Sequence, residues 1–133
     1  MACVIDSSAF YAYLVAADRH HRAVAGALSG LVREGERFFS TSFVLGETLG
    51  LLQIRHGSKA AEVFMHKIYP LVEWRWVDET LFSRIWQIAS ESPSRGFTIV
   101  DASVVACLQE HPKARCVAVD KGFERFGFPL LPG

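Results

Sequence analysis

The sequence lacks any excess of charge of one sign, because 14 Lys+Arg balance 14 Asp+Glu in 133 residues. A chain with no net charge does not attract polyanions through its whole surface, so any contact with nucleic acid must rest on a local patch or a metal. The sequence also lacks a long apolar run. The largely apolar stretch between Asp6 and Asp18 is far shorter than the ~20 residues of a membrane helix, so no membrane span is expected.

Cysteine is scarce and scattered. Cys3, Cys107 and Cys116 form no CxxC pair and show no metal-ligand spacing, which predicts reduced, buried thiols in a cytoplasmic protein. No basic segment precedes Asp6, so a secretory signal peptide is not expected. Repeats, low-complexity tracts and Pro/Gly/Ser linkers are absent too, which predicts a single domain over residues 1–133.

Short apolar runs alternate with longer helical patterns along the chain. The predicted strands are Ala2–Ile5, Arg37–Ser40, Glu73–Val77, Cys116–Val119 and an edge strand near Phe128–Leu131. The predicted helices are Ser7–Ala17, His20–Leu31, Ser42–Arg55, Ser58–Tyr69, Asp78–Glu91, Thr98–Glu110 and a short one at Gly122–Phe126. Strands separated by helices imply parallel pairing, so we expect an α/β fold, a three-layer α/β/α sandwich with a central parallel sheet.

Two aspartates follow predicted strands directly. Asp6 comes after Ala2–Ile5 and Asp120 after Cys116–Val119, and both are therefore expected at the carboxyl edge of the sheet, where ligands of such folds bind. Each could instead be only the N-cap of the helix that follows.

Two further acids lie on predicted helices. Glu47 falls among apolar residues of Ser42–Arg55, a costly position for a carboxylate that is neither paired, protonated nor bound to metal. The alternatives are a different helix phase or an ion pair with Arg95. Asp101 shares a face with apolar side chains, yet Thr98 three residues earlier makes a capping box an equally good explanation.

Together the four acids predict a cation site. Several carboxylates in one cleft repel each other, and a hard divalent cation relieves the repulsion. Oxygen ligands suit Mg²⁺ or Mn²⁺, and the five histidines are predicted to be structural or solvated rather than zinc ligands.

Four segments carry a resemblance to a known family. They are Val4–Ala9, Thr41–Glu47, Ile99–Ala106 and Val119–Phe123. In their order and spacing they resemble PIN domains, in particular the toxin ribonucleases of VapBC-type toxin–antitoxin modules. The resemblance covers nearly the whole chain.

The resemblance implies a metal-dependent endoribonuclease with an antitoxin partner and RNA as substrate. It maps the acidic positions of the family onto Asp6, Glu47, Asp101 and Asp120, and a supporting polar position onto Ser8. Asp6 and Asp101 are expected as direct ligands of Mg²⁺ or Mn²⁺, with Glu47 and Asp120 acting through water or at a second metal. Cleavage would leave a 5′-phosphate and a 3′-hydroxyl.

The sequence departs from the family pattern at one position. Ala118 stands where the family usually has Thr or Ser, two residues before the last acid. This removes a hydroxyl from the surroundings of Asp120.

Basic and aromatic residues supply candidates for other contacts. Arg95, Lys121 and Arg125 lie near Asp101 or Asp120 in sequence and are candidates for RNA phosphate contacts, whereas Arg55 is expected to be solvated. The three tryptophans are expected to pack in the core rather than to stack on bases. An aromatic cluster is expected in the core, and could instead form an antitoxin groove or a homodimer face: Tyr11, Tyr13, Leu14, Phe64, Met65 and Tyr69.

Other functions fit the sequence less well. A catalytically weak PIN-like module that binds RNA or protein remains the main alternative. A phosphoacceptor receiver domain needs paired acids after the first strand, and a haloacid-dehalogenase-type phosphatase needs Asp-x-Asp there. Ser7 and Ser8 follow Asp6 and match neither pattern.

Overall fold

Five short strands form one sheet in which every neighbouring pair is parallel. The computed structural model describes residues 1–132, and of Lys121 only the backbone. The strands are β1 (Ala2–Ile5), β2 (Arg37–Thr41), β3 (Glu73–Arg75), β4 (Arg115–Val117) and β5 (Leu130–Leu131). Their order is β3-β2-β1-β4-β5, so the direction of winding reverses beside β1 and β4.

Helices flank this sheet. They are α1 (Ser7–Leu14), α2 (His21–Arg33), α3 (Ser42–His56), α4 (Ser58–Lys67), α5 (Glu79–Glu91) and α6 (Ile99–Glu110), with 3₁₀ turns at Tyr69–Leu71 and Lys121–Phe126. Because crossovers between parallel strands are right-handed, reversing the winding direction moves the helices to the other face. The predicted α/β sandwich with a central parallel sheet is confirmed.

Side-chain caps fix where the helices begin. The side chains of Asp6, Thr41, Asp78 and Thr98 each accept a hydrogen bond from a backbone N–H in the first turn of the helix that follows. Gly57 ends α3 at φ 88° and ψ 171°. This backbone region is essentially restricted to glycine, so α4 can start at once after α3.

The core lies on both sides of β1 and β4. Val4, Cys116 and Val117 are fully buried in the sheet, and Phe10 and Phe64 pack edge to face with ring centroids 5.3 Å apart. A smaller apolar cluster joins α5 and α6 through Leu81, Ile85, Ala102 and Ala106. Burial of these side chains provides most of the driving force for folding.

Several local expectations were wrong. β4 ends at Val117 rather than Val119, because Val119 N–H turns away from the ladder and bonds to Ser8 Oγ. Trp74 packs in the core as expected, but Trp76 and Trp86 are 58% and 59% exposed. In the aromatic cluster Phe64 is fully buried, whereas Tyr13 and Met65 reach the surface.

The expectation for cysteine holds. All three thiols are free and buried, and burial raises the pKa of the Cys107 thiol to about 12. Within the described residues, no helix combines the length and the apolar character that a membrane crossing requires.

Candidate active site

A cleft of about 340 Å³ lies at the carboxyl edge of the sheet. Its walls include all four predicted acids, Asp6, Glu47, Asp101 and Asp120. The cleft opens where the winding direction reverses between β1 and β4, which is where ligands of doubly wound sheets bind. The topology thus brings together residues more than 100 positions apart in the chain.

Asp6 forms the floor of the cleft. Asp6 is only 2% exposed. It caps α1, since its Oδ2 accepts hydrogen bonds from Ser8 N and Ser8 Oγ. Its Oδ1 is buried without a hydrogen-bond partner. Burial, together with the nearby charge of Asp101, raises the pKa of Asp6 to about 6, although the Ser8 hydrogen bond opposes the shift.

Glu47 enters the cleft from α3. Its carboxylate accepts a hydrogen bond from the hydroxyl of Ser7, the residue directly after Asp6. The alternative of an ion pair with Arg95 is not realised, since no ion pair among the described residues involves Glu47. The expected apolar stripe around Glu47 was also wrong, because Ile54 is 85% exposed and the buried side of α3 passes through Thr48.

Asp101 enters the cleft from the first turn of α6. Its Oδ2 accepts a 2.8 Å hydrogen bond from Thr98 N, and the reciprocal contact completes a capping box. Burial raises the pKa of Asp101, and the charges of Asp120 and Glu47 raise it further. The capping and cleft interpretations are therefore both correct for this residue.

Asp120 and Ser8 complete the acidic wall. Asp120 is exposed and accepts a hydrogen bond at Oδ1 from Gly122 N, 2.9 Å away, which caps the 3₁₀ turn. The Ser8 hydroxyl donates to Asp6 and accepts from Val119 N at 3.0 Å. It therefore ties the loop after β4, which carries Asp120, to the carboxylate at the end of β1.

Buried hydroxyls hold the surrounding elements in register. Ser40 Oγ donates to the carbonyl of Ile5 at 2.6 Å, and Thr41 Oγ1 bonds to Ser103 Oγ at 2.8 Å. The second bond joins the end of β2 to α6, and Thr41 also caps α3. These bonds anchor α3, which carries Glu47, and α6, which carries Asp101, next to β1, which Asp6 follows directly. This anchoring was not predicted from the sequence.

The acids face one cleft, but their carboxylates do not converge on one point. Among the described residues, no three His, Cys, Asp or Glu side chains are arranged closely enough to hold a metal ion. Each carboxylate is turned towards a local N–H or hydroxyl donor instead.

Two of the three predicted phosphate-binding cations, Arg95 and Arg125, do not line this cleft. Arg95 is exposed in the turn before α6, and the side chain of Lys121 is outside the described part of the chain. Arg125 stacks over the rings of Phe97 and Phe126, at 4.7 and 5.1 Å from their centroids, and lines a neighbouring groove that shares Asp120. Ala118 is buried and does not line the acidic cleft.

Several cleft residues were missed from the sequence. Tyr11, Asp18, His20, Leu51 and Arg55 all line the cleft. Leu51 and Arg55 lie four and eight residues after Glu47, and this helical spacing could have predicted that they share its side of α3. Asp18 and His20 follow α1 in a turn that no sequence pattern placed next to the acids.

The sequence as a whole matches a known family. The model of the PIN domain family matches residues 3–129, so the chain belongs to the PIN domain family. Its members are nucleases, which are hydrolases. No curated protein matches the sequence significantly.

Solved structures with the same fold include toxins of toxin–antitoxin modules. VapC20 from Mycobacterium tuberculosis, described as a toxin that cleaves the sarcin–ricin loop, is similar with a TM-score of 0.81 and 24% identity over 95% of both chains. VapBC2 from Rickettsia felis, bound to a promoter DNA fragment, has a TM-score of 0.69 and 12% identity over 98% of this chain and 97% of that one. FitAcB from Neisseria gonorrhoeae has a TM-score of 0.69 and 16% identity over 98% and 96%. The fold is thus VapC-like.

Proposed function

We propose that this protein is a metal-dependent endoribonuclease that hydrolyses RNA phosphodiester bonds and is the toxin of a toxin–antitoxin pair. One observation carries the proposal. Four carboxylates line a single cleft at the winding reversal of the sheet, and the buried Asp6 Oδ1 at its floor has no hydrogen-bond partner. A buried, unsatisfied carboxylate oxygen is costly unless a ligand completes its contacts.

The donor set fits a hard divalent cation. Carboxylate oxygens suit Mg²⁺ or Mn²⁺, and no cysteine lines the cleft among the described residues. We assign Asp6 and Asp101 as direct ligands, and Glu47 and Asp120 as ligands through water or at a second ion. Ser8 supports the set by holding Asp6 in place.

The role of the cation follows from general chemistry. Bound Mg²⁺ or Mn²⁺ lowers the pKa of coordinated water and offsets negative charge on the phosphodiester. The products would be a 5′-phosphate and a 3′-hydroxyl.

The protein's own residues prepare the cleft for this reaction. Because the pKa of Asp6 is raised to about 6, this carboxylate is ionised at neutral pH but at a cost that a cation relieves. Ser7 orients Glu47, Ser8 orients Asp6, and the capping box orients Asp101. These contacts anchor the acids on the walls of the same cleft.

The proposed partners are RNA, an antitoxin and a second copy of the chain. VapBC2 and FitAcB, two structures with this fold, are toxin–antitoxin complexes, which supports a protein partner. An apolar groove bordered by Tyr13, Val32 and Leu71, all exposed, is suited to an amphipathic antitoxin helix. Action on RNA implies a cytoplasmic protein.

Cleavage assays with matched variants test the proposal. The purified chain is incubated with transfer RNA and with a sarcin–ricin hairpin in Mg²⁺, Mn²⁺ or EDTA, beside Asp6→Asn and the exposed control Glu62→Gln. We expect cleavage with Mg²⁺ or Mn²⁺, none in EDTA, none by Asp6→Asn, and normal cleavage by Glu62→Gln. Cleavage that survives chelation, or that Asp6→Asn retains, contradicts the proposal.

The same assay distinguishes the proposed nuclease from a second, less well supported function. The carboxylates do not converge, and Ala118 replaces the usual hydroxyl residue, which are features that a PIN-like module binding RNA without cutting it would also show. RNA binding without cleavage under every cation condition would favour that module.

A further inference from the structure

Arg55 is a cation in the acidic cleft that the proposed catalytic set does not use. It lies in the last turn of α3 and lines the same cleft as Glu47 and Leu51. The three residues are spaced four apart and therefore follow one another along one side of the helix. Because a helix rises 1.5 Å per residue, the backbone positions of Glu47 and Arg55 are separated by ~12 Å along its axis.

Contacts with α1 hold this guanidinium in position. The guanidinium carbon of Arg55 lies 5.2 Å from the ring centroid of Tyr11. The Tyr11 hydroxyl is in turn hydrogen-bonded to Nε2 of His56, 2.8 Å away. Stacking on an aromatic ring reduces the conformational entropy that an arginine loses when it binds a ligand, because the planar group is already oriented.

Arg55 is not neutralised by the acids around it. Arg37, Arg75 and Arg115 each form an ion pair with a glutamate. Arg55, by contrast, has no ion pair with any described carboxylate, although Asp18 and Glu47 line the same cleft. Arg55 is exposed and lines the cleft, so its guanidinium is available for bidentate binding of a phosphate.

An RNA strand in this cleft needs such a cation. The cleft wall carries several carboxylates, and the chain has no net charge to attract a polyanion. We propose that Arg55 binds a backbone phosphate of the RNA next to the one that is cleaved, with Tyr11 as its platform. This inference rests on the proposed nuclease function and assigns one residue of the same cleft to substrate binding.

The position of Arg55 defines which kinetic constant it affects. A contact with a neighbouring phosphate is made equally in the ground state and in the transition state, so it lowers KM without raising kcat. Arg55 is on this view a binding residue, whereas the four acids act on the reacting phosphate.

Binding measurements without cleavage test the proposal directly. Fluorescence anisotropy of labelled single-stranded RNA is followed in EDTA, in an Asp6→Asn background, as a function of salt. Arg55→Ala should weaken binding about tenfold and reduce the slope of log K against log salt by about 0.7, the value for one phosphate contact in single strands. Arg55→Lys should keep the slope and recover only part of the affinity, because lysine lacks the planar fork.

Lys59→Ala is the matched control, since Lys59 is an exposed cation at the start of α4 that does not line the cleft. Its affinity and salt slope should stay within twofold of the parent. In the cleavage assay, in the otherwise wild-type chain, Arg55→Ala should raise KM about tenfold and leave kcat unchanged.

The outcomes separate this inference from the function on which it rests. If the wild-type chain cleaves RNA and Arg55→Ala matches its parent in affinity and salt slope, the Arg55 contact is refuted and the nuclease stands. If Arg55→Ala loses kcat at constant KM, the assigned place next to the reacting phosphate is wrong. If no cation supports cleavage while Arg55→Ala still reduces the salt slope by about 0.7, the nuclease is refuted and the RNA contact stands.

Discussion

Acidic residues at the two edges of the sheet have different partners. At the amino edge, Arg37 at the start of β2 pairs with Glu73 at the start of β3 at 2.7 Å, and Arg115 at the start of β4 pairs with Glu36. At the carboxyl edge, the four cleft acids accept hydrogen bonds, among the described residues, from hydroxyl and N–H groups of Ser7, Ser8, Thr98 and Gly122.

This difference separates residues that stabilise the fold from residues kept for a ligand. Glu36 has only 5% of its side chain exposed, and the guanidinium of Arg115 compensates its charge. Asp6 is as deeply buried, but no cationic side chain among the described residues compensates it, and its pKa is raised accordingly. A carboxylate buried without a counter-charge is a marker of function rather than of stability.

The largest effect is expected for Asp6→Asn. Cleavage should fall by at least ~100-fold, as for loss of a metal-ligand group. The free energy of unfolding in EDTA at pH 7.5 should nevertheless rise, by up to about 3 kcal/mol, because a pKa raised from 3.8 to about 6 disfavours the charged form in the folded state at ~1.4 kcal/mol per pKa unit.

The sign of this stability gain depends on pH. The pKa of Asp6 is raised from 3.8 to about 6, so its carboxyl stabilises the fold below pH ~4 and loses that contribution as the pH rises through 6. Urea unfolding at pH 7.5 and at pH 3.5 measures both limits. A destabilised Asp6→Asn at pH 7.5 would show that the Asp6 charge is compensated after all.

Glu36→Gln should have the opposite profile. Removing this partner leaves Arg115 with only the more distant Glu34 and should lower the free energy of unfolding by about 1 kcal/mol, because the arginine is partly exposed. RNA cleavage at 20 °C should be unchanged, because the amino edge lies at the far end of the strands from the cleft. Loss of cleavage in a folded Glu36→Gln protein would contradict the assignment of the amino edge to stability alone.

Cation affinity should depend on pH through Asp6. Protons compete with Mg²⁺ or Mn²⁺ for this carboxylate, so affinity should be nearly constant above pH 7 and fall about tenfold between pH 7 and pH 5. Calorimetric titration with Mn²⁺ at these pH values measures the change. An affinity independent of pH over this interval would remove Asp6 from the ligand set.

Ser8→Ala should give the smallest effect. The Ser8 hydroxyl lowers the pKa of Asp6, so its loss should raise that pKa further and move the pH profile of cation binding upward. The lost hydrogen bonds to Asp6 and Val119 should cost about 1 kcal/mol of stability. Ser29→Ala, at an exposed position in α2, serves as the control, and a pH profile shared by both variants would exclude a role for Ser8 at the carboxylate.

Much of the fold could be predicted from local sequence patterns. The apolar run Ala2–Ile5 and the capping box at Thr98 specify their elements with interactions close in sequence, and β1 and the start of α6 lie where predicted. The end of β4 could not be predicted, because it depends on a hydrogen bond from Val119 N to Ser8, more than 100 residues away.

The same limit applies to the cleft. The topology of parallel sheets predicted Asp6 and Asp120 at one edge, and the family resemblance added Glu47 and Asp101, which line the same cleft. The phase of α3 did not follow from apolar periodicity, because the polar Thr48 occupies its buried side. Arg55 is exposed, as expected, but its position over Tyr11 could not be predicted, since it is a contact between two helices. Tertiary contacts of this kind leave no local signature.

A manganese-soaked crystal tests the central claim most directly. An anomalous difference map should show a peak in the cleft bonded to Asp6 and Asp101, with Glu47 and Asp120 around it, and Asp6→Asn should lose the peak. A map in which manganese binds elsewhere, or in which neither Asp6 nor Asp101 contacts the ion at saturating manganese, would contradict the account.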